Sequence, residues 1–276
     1  MRRIFIILLL CHISPLIFAQ KSEVGFLLGA SFYMGELNPS TPFGDSKFAG
    51  GILYRYNINK RFALRGNLLF ATVSASDAKT NKNNPRNLSF TSPITEISAI
   101  LEINFMELDP IGTSGRTNRF SPYLFGGIGV FNFNPKAKYE GVMYALQPLG
   151  TEGQGLPGMK SKYALTNFAI PFGLGIKINF AKRISIGIEW GMRFTFTDYL
   201  DDVSTVYYDN ALLAELRSPL AAALADRSEV KHAAKSGRGN PRTKDWYSFA
   251  GFSMSFKLGN RNVCKAQEEN SLYRRQ

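Results

Sequence analysis

Large apolar residues occupy every second position from Ile184 to Phe196: Ile184, Ile186, Ile188, Trp190, Met192, Phe194 and Phe196. Ser185, Gly187, Glu189, Gly191, Arg193 and Thr195 stand between them. Strict alternation marks a β-strand whose two faces meet unlike surroundings. The pattern recurs along the chain. Val24, Phe26, Leu28, Ala30, Phe32 and Met34 lie opposite Gly25, Gly29 and Ser31. Phe62, Leu64, Leu68 and Phe70 lie opposite Arg65 and Asn67. Ile97, Ala99, Leu101, Ile103 and Phe105 alternate with Ser98, Glu102 and Asn104, with Glu96 ahead of them in phase. Ile170, Phe172, Leu174, Ile176, Ile178 and Phe180 alternate with Pro171, Gly173, Gly175, Lys177 and Asn179. Trp246, Ala250, Phe252, Met254, Phe256 and Leu258 alternate with Gly251, Ser253, Ser255 and Lys257. Two less regular segments, about 46–57 and 119–133, complete a set of eight strands. The faces of the second stay unassigned.

Many of these strands reach ten residues or more. Soluble strands are usually about 5–6 residues, whereas a tilted strand crossing a membrane needs about 9–11. The connections 57–60 and 181–182 are short and 106–118 is intermediate. Those at 35–45, 76–87, 134–162 and 200–244 are long and rich in Gly, Pro, Asn and charge. Alternation of short turns with long loops is the habit of outer-membrane barrels. The pattern therefore predicts an all-β fold, an eight-stranded antiparallel transmembrane (outer-membrane) β-barrel with long extracellular loops. Hydrocarbon demands that every backbone group be paired internally, and a closed barrel meets that demand. The apolar face then meets lipid. Arg55, Arg65, Glu96, Glu102, Lys177, Glu189 and Arg193 share the inward phase and are candidates for ion pairs in the lumen, where small glycines leave room for them. The rival architecture is a soluble β-sandwich or lipocalin-like barrel with the apolar face as core. Its charged opposite face and the strand lengths count against it.

The first residues belong to another function. Arg2 and Arg3 precede an apolar run from Ile4 to Leu10 that continues to Phe18 and ends at the small Ala19. Residues 1–19 read as a secretory signal peptide, leaving a barrel at 20–258 and a periplasmic tail at 259–276. A lipoprotein signal on Cys11 is the alternative, but Leu10 stands where a small residue is expected. No later run is long and apolar enough for a membrane helix.

The formal charge is +12. For an exported chain this points to anionic lipid, lipopolysaccharide included, and not to nucleic acid. Cys264 is the sole cysteine after residue 19 and so forms no internal disulfide. His232 is the sole histidine after residue 19, in a polar basic loop, and no Gly-x-Ser-x-Gly turn accompanies it. A lipid-modifying enzyme is disfavoured on that ground, and no catalytic residue, cofactor or metal is expected. Asp198, Asp201, Asp202 and Asp209 are the kind of carboxylate cluster that calcium takes. Their spacing is not that of an EF-hand loop, so pairing with the loop's own basic residues is the favoured role. Residues 227–244 carry Arg227, Lys231, Lys235, Arg238, Arg242 and Lys244 against Glu229 alone. They read either as a contact for lipopolysaccharide phosphates or a partner, or as a solvated loop without fixed structure. Ala211–Asp226 is helix-prone and interrupted near Pro219.

Several local signatures occur in one order: Asn87-Leu-Ser-Phe90, the PYLFGGIGVF run at 122–131, Thr151-Glu-Gly-Gln154, Thr197-Asp-Tyr-Leu-Asp-Asp-Val-Ser204, Arg238-Gly-Asn240 and Asp245-Trp-Tyr247. Gly29-Ala-Ser-Phe-Tyr-Met-Gly-Glu-Leu-Asn38 precedes them, with Glu36 where an aspartate is expected. Together they resemble the PorG-like (DUF6089) outer-membrane proteins of Gram-negative bacteria that carry the type IX secretion system, over essentially the whole mature chain. The resemblance implies an eight-stranded barrel that associates with a periplasmic PorK–PorN-type ring and supports cargo export and gliding, with no catalytic residues. Glu152, Asp198, Asp201, Asp202 and Arg238 fall in extracellular loops on this reading and would organise them. Ring contact is left to turns 57–61, 106–118 and 181–182 or to the tail. A stand-alone surface barrel that binds lipopolysaccharide or acts as an adhesin is the alternative.

Overall fold

A computed structural model describes residues 22–80, 85–108, 119–181 and 183–258. The expected signal peptide, Cys11, the tail with Cys264, Lys182 and most of the intermediate turn lie outside the described residues. Among those described are ten strands: β1 Ser22–Met34, β2 Lys47–Asn57, β3 Phe62–Ser76, β4 Ser89–Asn104, β5 Phe120–Phe133, β6 Lys136–Tyr139, β7 Val142–Ala145, β8 Thr166–Ala181, β9 Ile184–Thr195 and β10 Trp246–Lys257. All but β6 and β7 form an antiparallel meander in chain order, which the β1–β10 pairing seals into an eight-stranded barrel. β6 and β7 form a hairpin hung from β4 at Thr91. The helices are short: α1 Asp77–Thr80, α2 Asn210–Leu216 and α3 Pro219–Ala225.

The register fixes the barrel's shape. Cross-strand partners lead from Ser22 through Tyr56, Leu64, Leu101, Gly126, Phe172, Met192 and Ser248 back to β1 at Phe32, ten residues further along. Such a stagger goes with strands tilted roughly 35–45° and an interior just wide enough for side chains.

The alternation seen in the sequence becomes an outside and an inside. Ile97, Ile128 and Phe168 point outward, 66%, 71% and 65% exposed. A continuous apolar wall of this kind suits hydrocarbon and would associate in water. Phenylalanines ring both ends. Phe48, Phe168 and Phe196 mark the end with the long connections, and Phe62, Phe105, Phe120 and Phe180 mark the other. Among the described residues no helix is long and apolar enough to cross a membrane. Phe43, from the β1–β2 connection, packs on the wall against Trp190 and covers outward-facing Phe32. The faces of β5 are now clear. Ser121, Tyr123, Phe125, Phe131 and Phe133 point in, while Leu124, Ile128 and Val130 point out.

The described parts of the four long connections, 35–46, 77–80 with 85–88, 134–165 and 196–245, lie at one end and fold together as a cap. Leu37, Leu88, Leu146, Leu200, Val203 and Leu224 are buried there against Phe90, Phe131, Phe133 and Tyr247. A solvated loop at 227–244 is therefore corrected to a folded one. Arg227 donates to the carbonyl and hydroxyl of Ser89 at 2.7 and 2.8 Å, and Lys231 Nζ donates to the Asp226 carbonyl at 2.7 Å. The helix-prone stretch is interrupted near Pro219 as expected: α2 ends at Leu216 and α3 begins anew at Pro219, because proline fits only the first turn. Ser218 caps α3 through Ala221 N at 3.1 Å. Asp209 similarly caps α2 through Leu212 N at 2.9 Å.

Candidate functional site

The lumen is filled by a salt-bridge network. Arg55 Nη1 meets Glu23 Oε2 at 2.8 Å, and its Nε meets Glu102 Oε2 at 3.0 Å. Arg65 Nη1 reaches Glu189 Oε2 at 2.6 Å and Glu102 Oε1 at 3.1 Å. Lys177 Nζ also lies 2.6 Å from Glu102. Three cations and three carboxylates thus neutralise one another, with Glu102 at the centre. Tyr123 donates to Glu189 at 2.8 Å, and Ser255 and Asn57 donate to Glu23 at 2.6 and 2.9 Å. Toward the cap, Arg193 pairs with Glu96 at 3.2 Å and Tyr247 donates to the same carboxylate at 2.8 Å. Rings support the cations from beside: Arg65 over Phe125, Lys177 over Tyr123 and Arg193 over Phe249.

All seven lumen candidates read from the sequence meet in this interior. Glu23 and Tyr123, among the participants, are not evident in the sequence. Glu23 lies one residue before the alternation of β1 becomes obvious, and extending the inward phase of Gly25 back by one step finds it. Tyr123 was hidden in the unassigned faces of β5. The room near the glycines goes to rings: a Cβ on Gly175 would stand 2.6 Å from Tyr123 Cζ, and one on Gly191 2.5 Å from Phe125 Cζ. Glycine is thus set by close approach, which its strand tolerates at some cost.

A second polar cluster lies under the cap and holds the five loop candidates. Glu152 accepts from the backbone N–H of Ser204 at 2.9 Å, from Thr205 Oγ1 at 2.6 Å and from Arg238 Nη1 at 3.0 Å. Arg238 also donates to the Asp202 carbonyl, stands 3.6 Å from the Asp202 carboxylate and reaches Ala225 O at 3.2 Å. Asp202 accepts from Thr151 at 2.5 Å and Tyr163 at 2.6 Å. Asp198 accepts from Ser204 at 2.7 Å, and Asp201 accepts from Tyr33 at 2.6 Å. Arg86, which forks onto Asp77 at 2.6 and 2.8 Å, extends the cluster by donating to Arg238 O at 2.6 Å. Burial raises Asp202 to about 6 despite the opposing Arg238 charge, and raises Asp198 to about 7. Burial works against the Arg238 charge, but Glu152 and Asp202 outweigh it and hold its pKa above the ordinary value.

His232 stacks on Tyr207 with centroids 4.3 Å apart. Its Nδ1 faces both Ser228 Oγ at 3.2 Å and Asp226 at 3.1 Å. A Ser–His–Asp relay needs the serine and the acid on opposite ring nitrogens, and here they share one.

Comparison with known proteins adds a family. No curated protein matches the chain in sequence. Among solved structures, Neisserial surface protein A is 8% identical, with 86% of this chain and 97% of that one covered at a TM-score of 0.44. The attachment invasion locus protein Ail of Yersinia pestis, in complex with the heparin analogue sucrose octasulfate, is 9% identical, with 85% and 96% covered and a TM-score of 0.39. OprG from Pseudomonas aeruginosa is 9% identical, with 88% and 100% covered and a TM-score of 0.38. The family model described as a domain of unknown function, DUF6089, matches residues 2–217, and the chain belongs to that family.

Proposed function

We propose that this barrel is a non-enzymatic outer-membrane anchor that supports a type IX secretion and gliding machinery. The observation that carries the anchoring role is the closed interior. Glu102 binds Arg55, Arg65 and Lys177 inside the barrel, and the folded cap covers one mouth. Eight strands with such a filling leave little lumen for transport. What the molecule offers is a rigid membrane-spanning body with one structured cap and one end of short turns. The link to type IX secretion rests on the PorG-like resemblance of the Thr151–Gln154 and Thr197–Ser204 motifs, with which the family assignment agrees.

In this reading the cap faces outward and the short turns face a periplasmic PorK–PorN-type ring. Lys60 and Arg61, on the β2–β3 turn, flank Glu107 at 3.9 and 3.7 Å and offer an exposed charged patch at that end. The test is deletion of the gene, with measurement of cargo export and pull-down of ring components on the tagged barrel. Unimpaired export with no ring protein recovered would remove the secretion role. The alternative, a surface barrel binding lipopolysaccharide or acting as an adhesin, draws on exposed Lys231, Lys235 and Arg242 on the cap. Neutralising those three would then abolish lipopolysaccharide binding while leaving export intact.

A further inference from the structure

Tyr33, near the cap end of β1, stands between two acids. Its Oη lies 2.6 Å from Asp201 Oδ2 and 2.7 Å from Asp245 Oδ1. A tyrosine hydroxyl carries one hydrogen and can donate it once. At these distances the other contact needs a hydrogen of its own, since oxygen lone pairs facing each other would repel. A protonated carboxyl supplies it. The remaining oxygens are already used: Asp201 Oδ1 accepts from Val203 N and Asp245 Oδ2 from Leu200 N, both at 2.9 Å. Glu36 brings a third carboxylate, and ligand atoms of all three acids lie within 4.8 Å of one another. Glu36 Oε1 accepts from Asn240 N at 3.1 Å, and the Glu36 and Asp245 carboxyl groups lie within hydrogen-bond reach of one another. Among the described residues no Lys or Arg forms an ion pair with any of the three.

We propose that Asp201 and Asp245 hold a shared proton against Tyr33, and that its loss to solvent unlatches the loop cap. The latch joins three places that must stay together for the cap to close. They are the end of β1, the β1–β2 connection through Glu36, and both ends of the β9–β10 connection. With the proton gone, two carboxylates face one hydrogen and repel each other and Glu36. The charged and titratable neighbours are Arg86 from the β3–β4 connection, Tyr163 from the β5–β8 connection, and Asp198 and Lys244 from the β9–β10 connection. Arg86 is the cation acting on Asp201, and Asp77 already holds it. Burial first, then the charges of neighbouring acids, raises both Asp201 and Asp245 well above the ordinary aspartate value.

The full chain in outer-membrane vesicles is digested with trypsin at the exposed Lys231, Lys235 and Arg242. Rates from about pH 6 to pH 9.5 are normalised to an unfolded peptide. Wild-type cleavage should accelerate with pH by up to about tenfold per unit, the limit for one proton. Asp245→Asn, neutral and still able to donate, should flatten that rise. Equal pH slopes in the two proteins would overturn the latch. If the variant does not fold, infrared difference spectra of the wild type decide. A protonated-carboxyl C=O band must disappear over the pH range in which cleavage accelerates, and its absence at neutral pH overturns the proposal. Calcium, added after a chelator, that restores protection at alkaline pH would also overturn it, by assigning the cluster to a cation.

Discussion

Arg65 and Glu189, separated by 124 residues in sequence, meet across the lumen at 2.6 Å with both side chains fully shielded from solvent. Each comes from a strand whose outward neighbours are apolar, so the pair is fixed by the same alternation that forms the wall. Buried pairs gain little over well-packed apolar replacements but cost much when halved, because one charge is stranded. Arg65→Ala or Glu189→Ala should each destabilise the barrel by about 3–5 kcal/mol. The double variant Arg65→Met, Glu189→Leu should recover most of that loss. Urea unfolding followed by the electrophoretic mobility shift of folded barrels measures all three.

Ile97 tests the wall. It projects outward from β4, 66% exposed, beside Leu68 on β3. On a water-soluble protein Ile97→Arg would change stability by only a few tenths of a kcal/mol. On a lipid-facing wall an arginine costs roughly 2–4 kcal/mol at the bilayer midplane. Refolding into lipid vesicles should therefore show a loss on that scale. A neutral result would reassign this face to water.

How much of this was legible follows from the physics of each face. Ile184–Phe196 announced itself because lipid outside and ion pairs inside demand opposite chemistries at every step. β5 did not, because its inward residues Tyr123, Phe125, Phe131 and Phe133 are as apolar as its outward ones. Those rings fill the lumen beside Arg65 and Lys177 and the base of the cap, so alternation of polarity disappears though the strand is regular. In the cap, the cluster of Asp198, Asp201 and Asp202 was visible as composition. Its partners were not, since Tyr33, Glu36, Arg86 and Asp245 come from other parts of the chain and only the closed barrel assembles them. The basic run at 227–244 misled for a related reason. Arg227 looks solvated in sequence, yet Ser89 awaits it, whereas Arg238, a loop-organising candidate by the resemblance, does meet Glu152 and Asp202.

Arg238 holds the cap from its centre. It donates from Nε to the end of α3 and from Nη1 to Glu152 and the Asp202 carbonyl, while Nη2 stays in ionic contact with Asp202, a geometry that lysine's single ammonium cannot copy. Both Arg238→Ala and Arg238→Lys should open the cap while leaving the barrel folded. Trypsin would then cut the 196–245 connection at least about tenfold faster, which corresponds to about 1.4 kcal/mol or more. The boiling-resistant mobility of the barrel itself should not change.

Asp202 gives the cap a further pH dependence with a definite sign. Its folded value, about 6, lies above the ordinary aspartate value because burial disfavours its charge. Such a group lends stability that is complete below the unfolded pKa of about 4 and is lost as pH rises through about 6. The stacked Tyr163–Tyr199 pair, with centroids 4.6 Å apart, gives a near-ultraviolet circular dichroism signal beside this carboxylate. Thermal loss of that signal should move to lower temperature as pH rises from about 4 to 6. Asp202→Asn should remove that part of the slope, and an unchanged slope would mean that the titration lies elsewhere in the cap.

The short-turn end yields the prediction that bears on partners. Lys60 and Arg61 sit on the β2–β3 turn, about half exposed at 46% and 56%, and flank the equally open Glu107. Exposed pairs of this kind contribute about 0–1 kcal/mol to stability, so their charges are free to serve recognition. Lys60→Glu with Arg61→Glu should leave refolding and cap protection unaltered. If this end carries the ring contact, the same double variant should lower recovery of periplasmic ring proteins in pull-down and reduce cargo export in parallel. Charge patches act mainly on association, so wild-type recovery should fall with salt while the variant's low recovery stays nearly salt-independent, narrowing the gap between them. Full recovery of ring proteins by the variant at every salt concentration would exclude this turn as the docking point.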